Sequence, residues 1–173
     1  MLIAMAGLPG AGKSTIAEVL GGRLAASVVS VDPIEASILR AGIDSDQPTG
    51  LAAYLVAETI AGFVLDAGQH VIVDAVNAVD PAREQWVSLA QTRGETLKFI
   101  EVVCSDPELH RVRLSKRASE ATRFASPSSY AVEQSLDEYH PWSGSSAAIA
   151  RITLDSVNPL GANVEAALAF LDS

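Results

Sequence analysis

The stretch Gly7-Leu8-Pro9-Gly10-Ala11-Gly12-Lys13-Ser14-Thr15 follows a short apolar run and leads into a helical stretch. It satisfies the pattern G-x-x-x-x-G-K-[ST] in the strand-then-helix setting that the pattern needs. Glycine takes positive φ and lets a phosphate come close to the backbone, so such a loop can curl with consecutive N–H groups turned inward. A helix beginning near Lys13 adds the positive end of its dipole. The pattern predicts a polyphosphate cradle, with Lys13 bridging the β- and γ-phosphates of a nucleotide and the Ser14 hydroxyl holding Mg²⁺. A glycine-rich strand-to-helix turn without a ligand is the plainer alternative.

Outward from this loop, apolar runs alternate with helical stretches along the chain. Residues 2–6, 28–31, 70–73, 97–103 and 148–154 predict five strands of the kind buried on both faces of a parallel sheet. Helices are expected over 13–24, 34–41, 51–67, 81–92, 107–116, 128–139 and 163–171. The pairs Asp32-Pro33, Asp80-Pro81 and Asp106-Pro107 read as Asp N-caps with Pro at the first helical position, and Gly42, Gly68 and Gly94 sit where helices end. With no repeat and no linker, residues 1–173 read as a single α/β domain.

Composition narrows the partners. Twelve Lys and Arg face 21 Asp and Glu, a formal charge of −9, which argues against a long nucleic acid. Apolar residues make up 49% of the chain, yet charges interrupt the apolar runs short of a membrane span, and the start has no basic n-region. Those signs point to a cytoplasmic protein with no membrane partner; they leave its oligomeric state open. The single cysteine, Cys104, excludes an intrachain disulfide and fits a reducing compartment; it reads as a small buried residue at a strand end. None of the three histidines belongs to a metal-spaced cluster, so no catalytic imidazole is expected.

Four segments carry a resemblance: Gly-Leu-Pro-Gly-Ala-Gly-Lys-Ser-Thr at 7–15, Val-Val-Ser-Val-Asp-Pro-Ile at 28–34, Val-Ile-Val-Asp-Ala-Val-Asn at 71–77 and Arg-Val-Arg-Leu-Ser-Lys-Arg at 111–117. In their order and spacing the chain resembles P-loop kinases of the adenylate-kinase-like group. The small AAA-type ATP-binding phosphotransferases, akin to polynucleotide 5′-kinase, chloramphenicol phosphotransferase, gluconate kinase and zeta-toxin-like enzymes, resemble it most. The resemblance implies a P-loop NTPase three-layer sandwich, with a five-stranded parallel sheet in the order 2-3-1-4-5, helices on both faces, and a short lid over about residues 113–127. It also implies ATP and Mg²⁺ as cofactors and a small-molecule hydroxyl as phosphoryl acceptor.

The remaining site residues are read partly from placement and partly from that resemblance. Asp32 follows the second strand, where the carboxyl ends of parallel strands face the ligand crevice, so its carboxylate can meet a hydroxyl. The resemblance makes it the group that orients the acceptor and takes its proton; capping the next helix is the alternative, and the two can coexist. Asp74 resembles a Walker B acid that binds Mg²⁺ directly or through water. The sequence also fits an exchange of these two roles. Asn77 and Arg83 follow a pattern that the group often shows on the acceptor side, although Arg83 can equally be a solvated helix residue. Arg40 can contact an anionic acceptor or lie on the surface. Arg113 and Arg117 are four apart and share a helix face, in a cluster with Arg111, Lys116 and Arg123. The resemblance places Arg117 near the γ-phosphate, Arg113 on the adenine or α-phosphate side, Arg123 in the lid and Asn158 beside adenine; a solvated basic helix is the alternative. Residues 139–142, Tyr-His-Pro-Trp, are expected to pack on the core. Rival readings are a 5′-hydroxyl kinase on a short oligonucleotide or a kinase on a nucleotide sugar, and, from another class, an ATP-binding regulatory module with slow hydrolysis.

Overall fold

The structure is a computed structural model and describes residues 1–120 and 139–173. Its strands are β1 (Leu2–Ala6), β2 (Ser27–Ser30), β3 (Val71–Asp74), β4 (Leu97–Val103) and β5 (Arg151–Asp155). They form one parallel sheet in the order β2-β3-β1-β4-β5, as expected. The helices are α1 (Lys13–Leu24), α2 (Val31–Arg40), α3 (Thr49–Asp66), α4 (Asp80–Arg93), α5 (Pro107–Glu120) and α6 (Leu160–Leu171).

Side chains alternate across a strand, so β1 feeds both layers. Leu2 and Ala4 join Val71, Val73 and Phe99 on one face, against α3 and α4. Ile3 and Met5 join Ile72, Ile100 and Val102 on the other, against α1 and α6. Each fully buried Leu, Ile, Val or Phe side chain contributes about 1.5–3 kcal/mol to holding the layers together. Helix α3 meets the sheet through Ala53, Ala57 and Ala61, all fully buried at i, i+4 spacing. A bulkier residue at Ala57 would force the helix off the sheet. Contrary to the expectation from its charges, α3 is long and apolar enough to cross a membrane by length and composition, with Glu58 inside the span. Its alanine face is nevertheless part of the core.

Two of the three expected Asp caps are corrected. Helix α2 begins at Val31, with Ser30 as N-cap, so Asp32 lies inside the first turn and its carboxylate pairs with Arg117. Helix α4 begins at Asp80, and that carboxylate receives Arg83 and Ser143. Bonds to a guanidinium outcompete a neutral backbone cap. Only Asp106 caps as expected, its Oδ1 accepting the N–H of Glu108 at 2.9 Å and of Leu109 at 3.0 Å. Strand β5 starts at Arg151, since residues 146–148 form a 3₁₀ turn. Arg123, most of the expected 128–139 helix and the 121–127 portion of the expected lid lie outside the described residues.

Candidate active site

The loop between β1 and α1 is fixed by its surroundings before any ligand arrives. Gly7 has φ +131°, donates its N–H to Val76 O at 3.0 Å, and lies so close to β4 that a Cβ would stand 2.1 Å from Val102 O. No other residue fits there. Gly12, at φ +104°, is the N-cap of α1 and leaves the helix N-terminus open toward the cleft. Ala11 N–H closes the turn onto Leu8 O at 3.1 Å, and Pro9 O lies 2.6 Å from His110 Nε2 on α5.

Lys13 is buried, and its Nζ donates to Leu8 O at 3.0 Å. Burial pulls its pKa down to about 8; Asp74 and Asp32 oppose the drop, and Arg117 adds to it. The ammonium is thus held over the loop with one protein acceptor, a geometry suited to anionic oxygens.

Asp74 ends β3, register-paired with Ser30 at the end of β2. Its Oδ2 accepts from Ser14 Oγ at 2.6 Å and from Ser30 Oγ at 3.2 Å. Hydroxyl and carboxylate oxygens are the hard donors that Mg²⁺ takes, typically with one or two carboxylates and the remainder from waters and phosphates. The residues present therefore fit that ion. Ser30 carried no signal in the sequence beyond its place at a strand end.

Helix α5 supplies the opposite wall. Arg113 donates to Ser156 Oγ at 2.7 Å and Ser156 O at 3.3 Å, and reaches Cys104 Sγ at 3.7 Å. Cys104 is half-buried, more open than expected, because it lies just past β4 beside that guanidinium. Arg117 forms an ion pair with Asp32, each side chain about one-third exposed. Between these walls opens a cleft of about 470 Å³, lined among others by Gly12, Lys13, Thr15, Arg113, Arg117 and Asn158. His110 shares the face of Arg113 and Arg117 at i, i+3, i+7, a spacing visible in the sequence; its contact with Pro9 was not.

Three expected acceptor residues are placed elsewhere. Asn77, fully buried at φ +48°, spends its side chain on Met5 O at 2.6 Å and Trp86 Nε1 at 2.8 Å. Arg83 is 0% exposed. Its five donors go to Asn77 O, Ala78 O, His140 O, Pro141 O and Asp80 Oδ1 at 2.8–3.2 Å, so none is left for a substrate. Trp142 stacks on that guanidinium at 4.2 Å and meets Phe99 edge-on, the expected packing role. Arg40 is exposed at the last residue of α2 and donates to Ser37 Oγ at 2.9 Å. Just past β3, the Tyr54 hydroxyl accepts the Asn77 N–H at 3.1 Å.

Comparison with known proteins agrees with this geometry. The AAA domain family AAA_33 matches residues 2–141. An adenylyl-sulfate kinase from Microcystis aeruginosa is 31% identical over 130 residues, 69% of each chain. Among solved structures, a putative kinase from Chloroflexus aurantiacus superposes with a TM-score of 0.77 at 20% identity, covering 99% of this chain and 95% of that one. An APS kinase from Mycobacterium tuberculosis, in complex with AMPPNP and APS, superposes with a TM-score of 0.67 at 18% identity, covering 99% and 97%. The cradle of backbone amides, the buried lysine and the serine–aspartate pair thus stand in a chain that belongs to the AAA domain family and, within it, to the P-loop kinases.

Proposed function

We propose that the protein is an ATP- and Mg²⁺-dependent phosphotransferase that moves the γ-phosphoryl group of ATP to a hydroxyl of a small molecule, acting as a single cytoplasmic domain over residues 1–173. The observation that supports this reading most directly is the Arg117–Asp32 ion pair. It ties a carboxylate in the first turn of α2 to an arginine that lines the nucleotide cleft.

In this reading the P-loop amides and Lys13 hold the β- and γ-phosphates, with Arg113 and Asn158 toward the base. Ser14 and Asp74 would hold Mg²⁺, which would supply positive charge to the nucleotide phosphates. Arg117 turns from Asp32 to the transferring phosphoryl, where a positioned guanidinium is worth a thousandfold or more in rate. Asp32 aligns the acceptor hydroxyl. The acceptor oxygen forms the new P–O bond as the bond to the β–γ bridging oxygen breaks, ADP leaves, and the hydroxyl proton passes to Asp32 Oδ2. A carboxylate is a weak base toward an alcohol, but in a loose transition state the proton moves late, so alignment dominates. The bonds of Asp74 to Ser14 and Ser30 favour the metal role for it, and leave the acceptor role to Asp32.

The test is γ-labelled ATP with Mg²⁺, wild type beside Asp32→Ala, against sugars, nucleosides, aminoglycosides and short 5′-hydroxyl oligonucleotides. Label on an acceptor is scored separately from free phosphate. Transfer is expected to fall by about a hundredfold or more in the variant, with nucleotide affinity changed by less than about tenfold. Undiminished transfer would remove Asp32 from its role. Slow phosphate release that is the same in both proteins and indifferent to every acceptor would favour a nucleotide-dependent regulatory module.

A further inference from the structure

Within the phosphate loop, Leu8-Pro9-Gly10-Ala11 make a turn of defined kind. Ala11 N–H donates to Leu8 O at 3.1 Å, Pro9 holds the second position, and Gly10 holds the third at φ +78°. That is a type II turn; a type I turn closes with the same bond but has its central peptide, here Pro9–Gly10, flipped over. A trans peptide points its C=O and its N–H in opposite directions, so the flip decides which of the two faces a ligand. Pro9 has no N–H, and the Ala11 N–H is spent on Leu8, which leaves the Gly10 N–H as the amide this turn can offer to a phosphate. The flipped turn would offer the Pro9 carbonyl instead, a partial negative charge against anionic oxygens.

The group that holds the Pro9 carbonyl is the His110 ring on α5. Its Nε2 lies 2.6 Å from Pro9 O, and since a carbonyl only accepts, the contact requires the proton on Nε2. The same ring closes over the turn: a Cβ at Gly10 would stand 3.3 Å from His110 Cδ2 and 3.0 Å from Leu114 Cδ2. Gly10, Gly12 and Lys13 line the nucleotide cleft, whereas Gly7, Leu8, Ala11 and His110 line a separate cavity of about 150 Å³. The loop is thus not packed solid on the His110 side, and a directed bond is what fixes the Pro9–Gly10 peptide.

Resting on the nucleotide-binding part of the reading above, we propose that His110 is a positioning residue. It locks the Leu8–Ala11 turn in its type II form, so that the Gly10 N–H faces the polyphosphate and the Pro9 carbonyl is turned away from it. Arg113 and Arg117 follow on the same face of α5 and line the cleft. One helix therefore sets the phosphate loop from behind and presents guanidiniums to the nucleotide from across the cleft.

Two measurements need only the wild type. Ring ¹⁵N spectra are expected to show the His110 proton on Nε2; a bare Nε2 overturns the proposal. Amide spectra during titration with Mg-ATP are expected to move the Gly10 proton downfield together with those of Gly12 and Lys13; shifts at Gly12 and Lys13 with none at Gly10 overturn it as well. The substitutions are His110→Leu, which has no donor, and His110→Gln, whose side-chain amide can donate to the same carbonyl. In His110→Leu the Gly10 shift should vanish, and the Kd for Mg-ATP, and for Mg-tripolyphosphate as a probe without a base, should rise by about tenfold or more; His110→Gln should restore both. Wild-type affinity and a full Gly10 shift in His110→Leu overturn the role of His110 and keep the nucleotide site. Equal loss of affinity in both variants with the Gly10 shift retained makes the ring a packing element only and also overturns the proposal. No loop amide moved and no Mg-ATP bound by the wild type overturns the nucleotide reading together with it.

Discussion

On the nucleotide side, nine consecutive residues, Gly7 to Thr15, supply a backbone cradle, a helix N-terminus, an ammonium and a hydroxyl. On the acceptor side, Asp32 comes from α2 and pairs with Arg117 of α5, while Asp74 ends β3 and meets Ser30 because β2 and β3 are neighbours in the sheet. The first half recognises through peptide groups, whose geometry a short local pattern can dictate. The second recognises through side chains, and its character follows from which of them the fold leaves unengaged. A phosphate site can therefore persist while the acceptor changes by a few substitutions on α2.

The largest effect separating the halves is expected at Lys13. Lys13→Met removes the buried ammonium while the loop backbone stays, and kcat/KM for ATP should fall by about a thousandfold. Steady-state kinetics on the wild type's best acceptor checks it. A loss below about tenfold would mean that the loop amides and Arg117 carry the phosphate side without the lysine, and would blur the division between backbone and side-chain recognition.

Next in size is Arg83, which tests whether the acceptor half ends where the hydrogen bonds place it. Arg83→Met leaves the carbonyls of Asn77, Ala78, His140 and Pro141 without their shared donor, in a site with no exposure. Breaking such a buried charged network costs about 3–5 kcal/mol, which for a chain of this length lowers Tm by roughly 6–20 °C. The folded fraction should keep its acceptor KM within about twofold. A raised acceptor KM with an unchanged Tm would return Arg83 to the substrate site.

These two residues also mark how far the sequence could be read. The P-loop and the five strands were legible because apolar runs and glycine placement are local, and the strand order came with the resemblance. The Asp-Pro cue is local too, yet it failed at Asp32 and Asp80. Arg117, which pairs with Asp32, lies 85 residues away, and Asp80 is shared between Arg83, three residues on, and Ser143, 63 residues away. Arg83 read as an acceptor-side or a solvated helix residue because residues 140 and 141, which supply two of its carbonyls, reach it only in the folded chain.

The smallest effect expected is one of pH, and it sharpens the comparison from within the nucleotide half. Burial lowers the pKa of Lys13 from the ordinary lysine value to about 8, with Asp74 and Asp32 pulling upward and Arg117 downward. Between about 8 and the unfolded value near 10.5, the unfolded chain holds a proton that the folded chain has released, so this group makes stability rise with pH across that window. Below pH 8 the ammonium is present in both states, and folding bears the cost of burying it. Nucleotide phosphates reverse the balance by favouring the charged form. Calorimetry in buffers of different ionisation heat should therefore show almost no proton uptake on Mg-ATP binding at pH 7. At pH 9 uptake should approach about one proton, with affinity falling by up to about tenfold per pH unit above 8. Zero uptake at pH 9 would mean that Asp74 and Asp32 fully offset the burial. The P-loop lysine would then depend on the same carboxylates that define the acceptor side, and the two halves would be electrostatically one site.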